Sequence, residues 1–201
     1  MEDEDFEMLT EELPAMARAG EFIRSLDGIP WFANLGEPLT PGARAAAHMV
    51  ADGLGFPDAE IGIVIDWDDA GAAAENFDWN SPAWEAEELL RADVTLQAQE
   101  LLSDEAFQFV MAAAADVVAK SAREAVDEAA SLGDVVDDGL KQLAIGAAVQ
   151  AVHQALLALL VQGRDGDDSD EDTQHPFLAK FQLFEFGRWP VGITGGTFNL
   201  F

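Results

Sequence analysis

The feature that most restricts the fold is a long apolar segment, residues 143–161, which reads LAIGAAVQAVHQALLALLV. It belongs to a predicted helix over about residues 134–162. Its length would suit a membrane span of about 20 residues, but Gln150, His153 and Gln154 stand in its middle, where polar groups are costly in lipid. A helix that is apolar nearly all round is buried on every side. We therefore expect the central helix of a bundle rather than a membrane span.

Helix start and stop signals predict further helices before the central one. Thr40 and Ser81 each precede a proline, and a hydroxyl residue followed by proline is typical of a helix N-terminus. Asp66 and Ser103 are also suited to cap a helix, and Gly133 is suited to end one. The sequence thus predicts helices over about residues 14–26, 41–52, 67–75, 82–101 and 104–132.

Three segments have the character of β-strands. Residues 61–65 form a short β-branched run, and residues 181–186 are rich in aromatic side chains. Residues 191–200 contain Gly195-Gly196, and two-residue hairpin turns require the positive φ angles that glycine adopts readily. The third segment is therefore predicted to be a tight hairpin.

The hairpin register follows from the position of its turn. Thr194 should face Thr197, Ile193 should face Phe198, and Val191 should face Leu200. Because side chains alternate between the faces of a strand, the apolar members fall on one side. We expect that side to pack on the helices, which explains why the acidic chain ends in an uncharged aromatic stretch.

The expected fold class is mainly α (α+β), a helical bundle with a small C-terminal antiparallel β unit. A chain of 201 residues can form one sizeable domain. We expect an acidic lead-in over residues 1–12 and a mainly helical part over 13–163. A mobile acidic loop over 164–174 and a β hairpin unit over 175–201 complete the prediction.

The net charge limits the choice of partner. The chain has 39 Asp and Glu against 10 Lys and Arg, a formal net charge of −29. Nucleic acid and anionic membranes repel such a surface, whereas a basic protein is attracted to it. The oligomeric state is open. An acidic start does not resemble a secretory signal, so we expect a cytoplasmic protein. The absence of cysteine excludes disulfides and thiolate metal sites.

Two groups of residues are predicted to contact the partner. The first is acidic and consists of Asp66, Asp68, Asp69 and Asp78. The second is Arg188 with Trp189, because arginine and tryptophan are frequent in the energetically dominant parts of interfaces. The second group requires that part of the C-terminal stretch stays exposed.

No motif for catalysis, a cofactor or a metal ion is present. The Asp-rich segments lack the glycine and glutamate positions of a calcium-binding loop, and His153 lacks the glutamate three residues earlier that a di-iron bundle requires. We expect His153 to be a hydrogen-bonded polar group within a packed helix, with Gln150 or Gln154 as a neighbour.

The leading hypothesis is a non-catalytic acidic protein that neutralises a cationic partner, in its most concrete form a bacterial immunity protein that inhibits a toxin. One alternative is a salt-adapted protein of unrelated function, whose charge would be spread evenly over the surface. A second is a DNA mimic. A third is a small hydrolase that uses acids beside Trp67 and Trp79, since sugar-processing sites use paired carboxylates.

Overall fold

The computed structural model describes residues 2–133, 137–162 and 175–201, with side chains from residue 12 onward. The described part has seven α-helices, a short 3₁₀ turn and three strands. The helices are α1 (Glu2–Ser25), α2 (Pro41–Gly53), α3 (Trp67–Glu75), α4 (Pro82–Leu101), α5 (Asp104–Leu132), α6 (Asp138–Gln162) and α7 (Pro176–Glu185). The strands are β1 (Glu60–Ile63), β2 (Pro190–Thr194) and β3 (Thr197–Leu200). The predicted mainly helical bundle with a small β unit is confirmed.

Helix α6 is the central element, as its apolar sequence predicts. It packs against α1, α4, α5 and α7, and its buried side chains occur around much of its circumference. Within the described chain it is the one helix long and apolar enough to cross a membrane, and 61% of its most apolar window is buried inside the protein. The core helix of a bundle meets the same criterion, so its composition is no argument for insertion.

Small side chains allow α5 and α6 to lie close together. Valine and alanine alternate along α5 at intervals of four residues, and each member is at most 2% exposed: Val110, Ala114, Val118, Ala122, Val126 and Ala130. Side chains four apart form one ridge of a helix. The ridge belongs to the same core cluster as Ala148, Ala151 and Ala155 of α6, which are fully buried.

The predicted capping residues are confirmed at the starts of four helices. Thr40 Oγ1 accepts a hydrogen bond from the Ala43 amide at 3.1 Å, and Asp66 Oδ1 accepts one from the Asp69 amide at 2.8 Å. Ser81 and Ser103 cap α4 and α5 in the same way. The predicted start of the first helix at Pro14 is wrong, because α1 begins at Glu2 and continues through this proline.

The predicted strand over residues 181–186 is wrong, because most of these residues belong to α7. The buried side chains Phe177, Phe181 and Phe184 recur at intervals of four and three, which is the spacing of one helix face. The Phe181 ring contacts Phe22 with a centroid distance of 5.1 Å, and Phe184 contacts Trp31 at 5.5 Å. The aromatic content suggested a strand, but the periodicity is helical, so the 175–201 unit contains a helix as well as the hairpin.

The cap of α7 predicts a dependence of stability on pH. His175 Nδ1 accepts a hydrogen bond from the Phe177 amide at 3.1 Å, and burial lowers the pKa of His175 from its ordinary value of 6.5. Its contribution to stability is therefore complete above pH 6.5 and is lost as the pH falls through the folded-state value. Urea unfolding of wild type and His175→Asn between about pH 7.5 and 5 measures this. Asparagine caps without titrating, so the variant should lose less stability on acidification, and equal losses would contradict the assignment.

The sheet has the strand order β1-β3-β2 and is mixed. The hairpin of β2 and β3 is antiparallel, with Ile193 opposite Phe198 and Thr194 opposite Thr197 as predicted. Both turn glycines have positive φ. Strand β1 lies on the other side of β3 and is parallel to it, so the sheet recruits the predicted strand near residue 61 and is not built from the C-terminal stretch alone.

The predicted pairing of Val191 with Leu200 is wrong because the ladder contains an irregularity. Pro190 lies opposite Leu200 and Gly192 lies opposite Asn199, which leaves Val191 as the extra residue of a bulge. Gly192 has a φ of +135°, and a Cβ there would lie 2.5 Å from the Phe77 ring. The bulge therefore brings β2 close to the chain that follows α3.

Candidate functional site

A cavity of about 340 Å³ lies beside α6. Small-molecule sites have volumes of roughly 300–1,000 Å³ and mostly apolar walls. The walls come from α2, α3, α4, α6, α7 and the hairpin, and the residues that face it are mainly apolar or aromatic. At the mouth, Trp79 is 56% exposed and Leu143 is 41% exposed. The bundle thus leaves an open, largely apolar pocket between α6 and the sheet.

Three aromatic rings after α3 and at the start of α4 form one wall of the cavity. The centroids of Trp79 and Trp84 are 4.7 Å apart, and those of Phe77 and Trp79 are 4.8 Å apart, both with edge-to-face geometry. The Phe77 ring also meets Trp84 at 5.8 Å. Such contacts are favourable between aromatic rings and fix the shape of this wall.

The polar end of the cavity is built around Glu87 of α4. Its Oε1 atom accepts three hydrogen bonds: from Lys180 Nζ at 2.6 Å, from Gln154 Nε2 at 2.7 Å and from Gln150 Nε2 at 3.2 Å. The Glu87 and Lys180 side chains are only 12% and 13% exposed. One carboxylate therefore joins α4, α6 and α7 in a nearly buried network.

The electrostatic environment keeps Glu87 ionised. Burial opposes ionisation and by itself would raise the pKa of Glu87. The positive charge of Lys180, with the hydrogen bonds from Gln154 and Lys180, outweighs burial, so the pKa lies below its ordinary value of 4.5. The cavity thus contains a carboxylate that is paired with an ammonium group at neutral pH.

The predicted acidic contacts are all exposed, but the structure does not gather them into one cluster. Asp66, Asp68 and Asp69 lie at the N-terminus of α3, where Asp66 is the cap. Asp78 follows the C-terminus of α3 and accepts a hydrogen bond from the Asn80 amide at 2.9 Å. A helix of nine residues is about 13 Å long, so Asp78, which stands between the cavity-lining Phe77 and Trp79, lies apart from the other three.

The prediction that Arg188 and Trp189 remain exposed is wrong, since they are 3% and 1% exposed. Arg188 Nη2 donates a hydrogen bond to the Pro38 carbonyl at 2.9 Å, which anchors the chain before α2. The Trp189 ring packs beside Trp67, with centroids 6.2 Å apart. Both residues hold the C-terminal stretch in the fold, and Trp189 also faces the cavity.

Acidic and basic side chains differ in their exposure to solvent. Among the acidic side chains that the structure describes, all are exposed except Glu12, Glu87 and Glu88. Cationic side chains are more often turned inward: Arg188 is buried, Lys180 pairs with Glu87, and the partly buried Arg18 donates to the Leu160 carbonyl. The folded surface is therefore more negative than the composition alone implies.

Trp67 and Trp79, which the hydrolase hypothesis places together, have different surroundings. Trp67 is 7% exposed and meets the Phe201 ring at a centroid distance of 5.2 Å, whereas Trp79 lies at the cavity mouth.

His153 Nε2 lies 3.1 Å from the Met111 carbonyl. It is thus a hydrogen-bonded packing residue as predicted, although its partner is on α5. In the described ranges, no group of three or more His, Asp or Glu side chains could hold a metal ion.

The predicted mobile loop over residues 164–174 lies outside the described residues. Comparisons of the chain with protein-family models, with curated proteins and with solved structures find no match.

Sequence reasoning did not identify Glu87 and Lys180 as a pair, although a signal was present. Ala83, Glu87, Leu90 and Val94 are spaced by four, three and four, so a carboxylate occupies an apolar helix face. A charge at such a position requires a partner. The partner was hidden because Lys180 precedes a segment that was expected to be a strand.

Proposed function

We propose that this chain is a non-catalytic binding protein that captures a cationic protein partner, in its most concrete form a bacterial immunity protein that masks a toxin in the cytoplasm. The observation that carries the proposal is the different exposure of the two signs of charge: nearly all described acids are exposed, whereas five of the nine described cations are hydrogen-bonded or paired within the chain. Opposite charge steers a partner to the surface and raises the rate of association.

The distribution of exposed cations supports one location for the proposed partner. The exposed ones in the described chain are Arg24, Arg44, Lys120 and Arg123. Between residues 45 and 119 the sequence contains one cation, Arg91, and it forms a bidentate pair with Glu88. We name the exposed acids between the N-cap of α3 and the first turn of α4 the α3–α4 acidic segment; they are Asp66, Asp68, Asp69, Glu75, Asp78 and Glu85.

This uneven distribution favours recognition over salt adaptation. A salt-adapted protein uses acidic side chains for solvation over its whole surface. Salt adaptation therefore gives no reason for one part of the chain to lack unpaired cations. Here the segment from α3 to α4 has its single cation neutralised, whereas α5 has Lys120 and Arg123 exposed among its acids. A basic partner would therefore meet the strongest attraction along the α3–α4 acidic segment.

Charge reversal tests this assignment. The variant Asp68→Lys/Asp69→Lys should slow association with a lysine-rich amphipathic peptide about tenfold at low salt, within the range of electrostatic steering. The control Asp116→Lys/Glu124→Lys changes the net charge equally on exposed positions of α5, and should slow it less than about twofold. Stopped-flow fluorescence measures both rates. Equal slowing by the two pairs would show that the surface has no preferred site and would overturn the proposal.

A further inference from the structure

The cavity beside α6 has unfilled space as well as suitable walls. Gly146 lies at the mouth on α6, and a Cβ built there meets no atom within 4 Å. The neighbouring Leu143 and the facing Trp79 are both exposed although large and apolar. An open apolar volume bounded by exposed aromatic and aliphatic side chains suits the body of a small organic molecule.

The polar end of the cavity has an unused acceptor. All three hydrogen bonds to Glu87 converge on Oε1, and within the described residues Oε2 receives none. The Oε2 atom is also not among the enclosed polar atoms that lack a partner, so solvent reaches it, and Glu87 lines the cavity. An ionised carboxylate oxygen accepts strong hydrogen bonds from charged donors. A ligand with such a donor would therefore be favoured at Oε2.

The charges around the cavity favour a cationic donor over a neutral one. Among the residues that the structure describes, Lys180 is the single cation that lines the cavity, and its charge is already paired with Glu87. Asp78 stands between two lining residues, Phe77 and Trp79, and the chain as a whole is strongly negative. Anions are repelled from such a mouth, whereas cations are concentrated there. Indole rings such as those of Trp79 and Trp84 also attract ammonium groups.

We propose that this cavity binds a small amphipathic amine. The apolar body lies against the aromatic wall and Val191 of the hairpin, and the ammonium group donates to Glu87 Oε2 at the polar end. The cavity mouth shares Asp78 with the α3–α4 acidic segment, but the amine is held by Glu87 and the aromatic wall inside the cavity, so loss of amine binding and loss of partner binding can be told apart.

Three probes with one apolar body and different head groups test the ligand class. These are 4-phenylbutylamine, 4-phenylbutan-1-ol and 4-phenylbutanoate, titrated into the full chain at neutral pH with calorimetry and tryptophan fluorescence as readouts. The amine should bind about tenfold more tightly than the alcohol, since a charged hydrogen bond is stronger than a neutral one. The acid should bind most weakly. Binding of the acid equal to or tighter than that of the amine, or no binding of any probe up to millimolar concentration, would overturn the proposal.

A matched pair of variants tests the location. Gly146→Leu places a side chain in the open mouth and should abolish amine binding while the cooperative melt is retained. Gly28→Leu is the control, because a Cβ at Gly28 also meets no atom within 4 Å and this residue does not line the cavity. It should leave binding unchanged. Amine binding that survives Gly146→Leu, or that is lost equally in both variants, would contradict the site.

Discussion

Glu87→Ala is expected to destabilise the fold by about 3–5 kcal/mol, because it leaves Lys180 nearly buried without a counter-charge. Gln150 and Gln154 lose their acceptor in the same substitution. For a chain of this size each kcal/mol corresponds to roughly 2–4 °C, so the melting temperature should fall by about 6–20 °C. Thermal unfolding followed by far-ultraviolet circular dichroism at neutral pH measures the loss.

A double-mutant cycle separates the ion pair from general packing. Glu87→Leu combined with Lys180→Met replaces both charges with apolar side chains and should cost less than the sum of the single substitutions. The cost of Glu87→Ala should also shrink in acid. The pKa of Glu87 is lowered in the fold, so its contribution is present above pH 4.5 and is lost as the pH falls through the folded-state value. Additive effects of the single substitutions would contradict the buried pair.

Deletion of residues 190–201 is expected to abolish cooperative folding. The deletion removes the buried side chains Ile193, Phe198, Leu200 and Phe201, each of which contributes about 1.5–3 kcal/mol by burial. Their sum is comparable with the whole stability of an ordinary domain, about 5–15 kcal/mol. Strand β1 would also lose its only partner in the described sheet. Calorimetry and binding of a hydrophobic dye measure the outcome.

Point substitutions show whether the loss comes from docking of the hairpin. Phe198→Ala removes a side chain that is 2% exposed and should cost about 3–5 kcal/mol. Thr194→Ala, on the other face of the hairpin, should cost less than about 1 kcal/mol. A truncated protein that melts cooperatively at the wild-type temperature would show that the hairpin is not part of the core.

Local signals in the sequence were sufficient to predict most helices and the hairpin. Caps such as Thr40 and Ser81 act on the adjacent turn of chain, and the Gly195-Gly196 turn sets the strands that it joins. The parallel pairing of β1 with β3 was not predictable, because it joins segments more than 130 residues apart by backbone hydrogen bonds. The bulge at Val191 lies beside the Phe77 ring, a tertiary contact that the local sequence does not reveal.

The candidate site was less predictable than the fold for the same reason. Exposed acids at α3 were found from composition, but the cavity arises where α6 meets four other helices and the hairpin. The burial of Arg188 depends on the Pro38 carbonyl, which is 150 residues away in the chain. Arginine and tryptophan are frequent in interfaces, yet Arg188 and Trp189 are buried within the fold.

The dependence of folding on salt tests most directly whether the acidic surface serves recognition. Exposed acids repel one another, and salt at 0.1 M largely screens the repulsion between charges that are more than about 10 Å apart. The thermal melt of the full chain should be measured from dilute buffer to molar KCl. Recognition predicts a cooperative melt in dilute buffer, with a modest rise in melting temperature as KCl is added. A chain that is unfolded in dilute buffer and folds only in molar KCl would contradict the proposed function and establish salt adaptation instead.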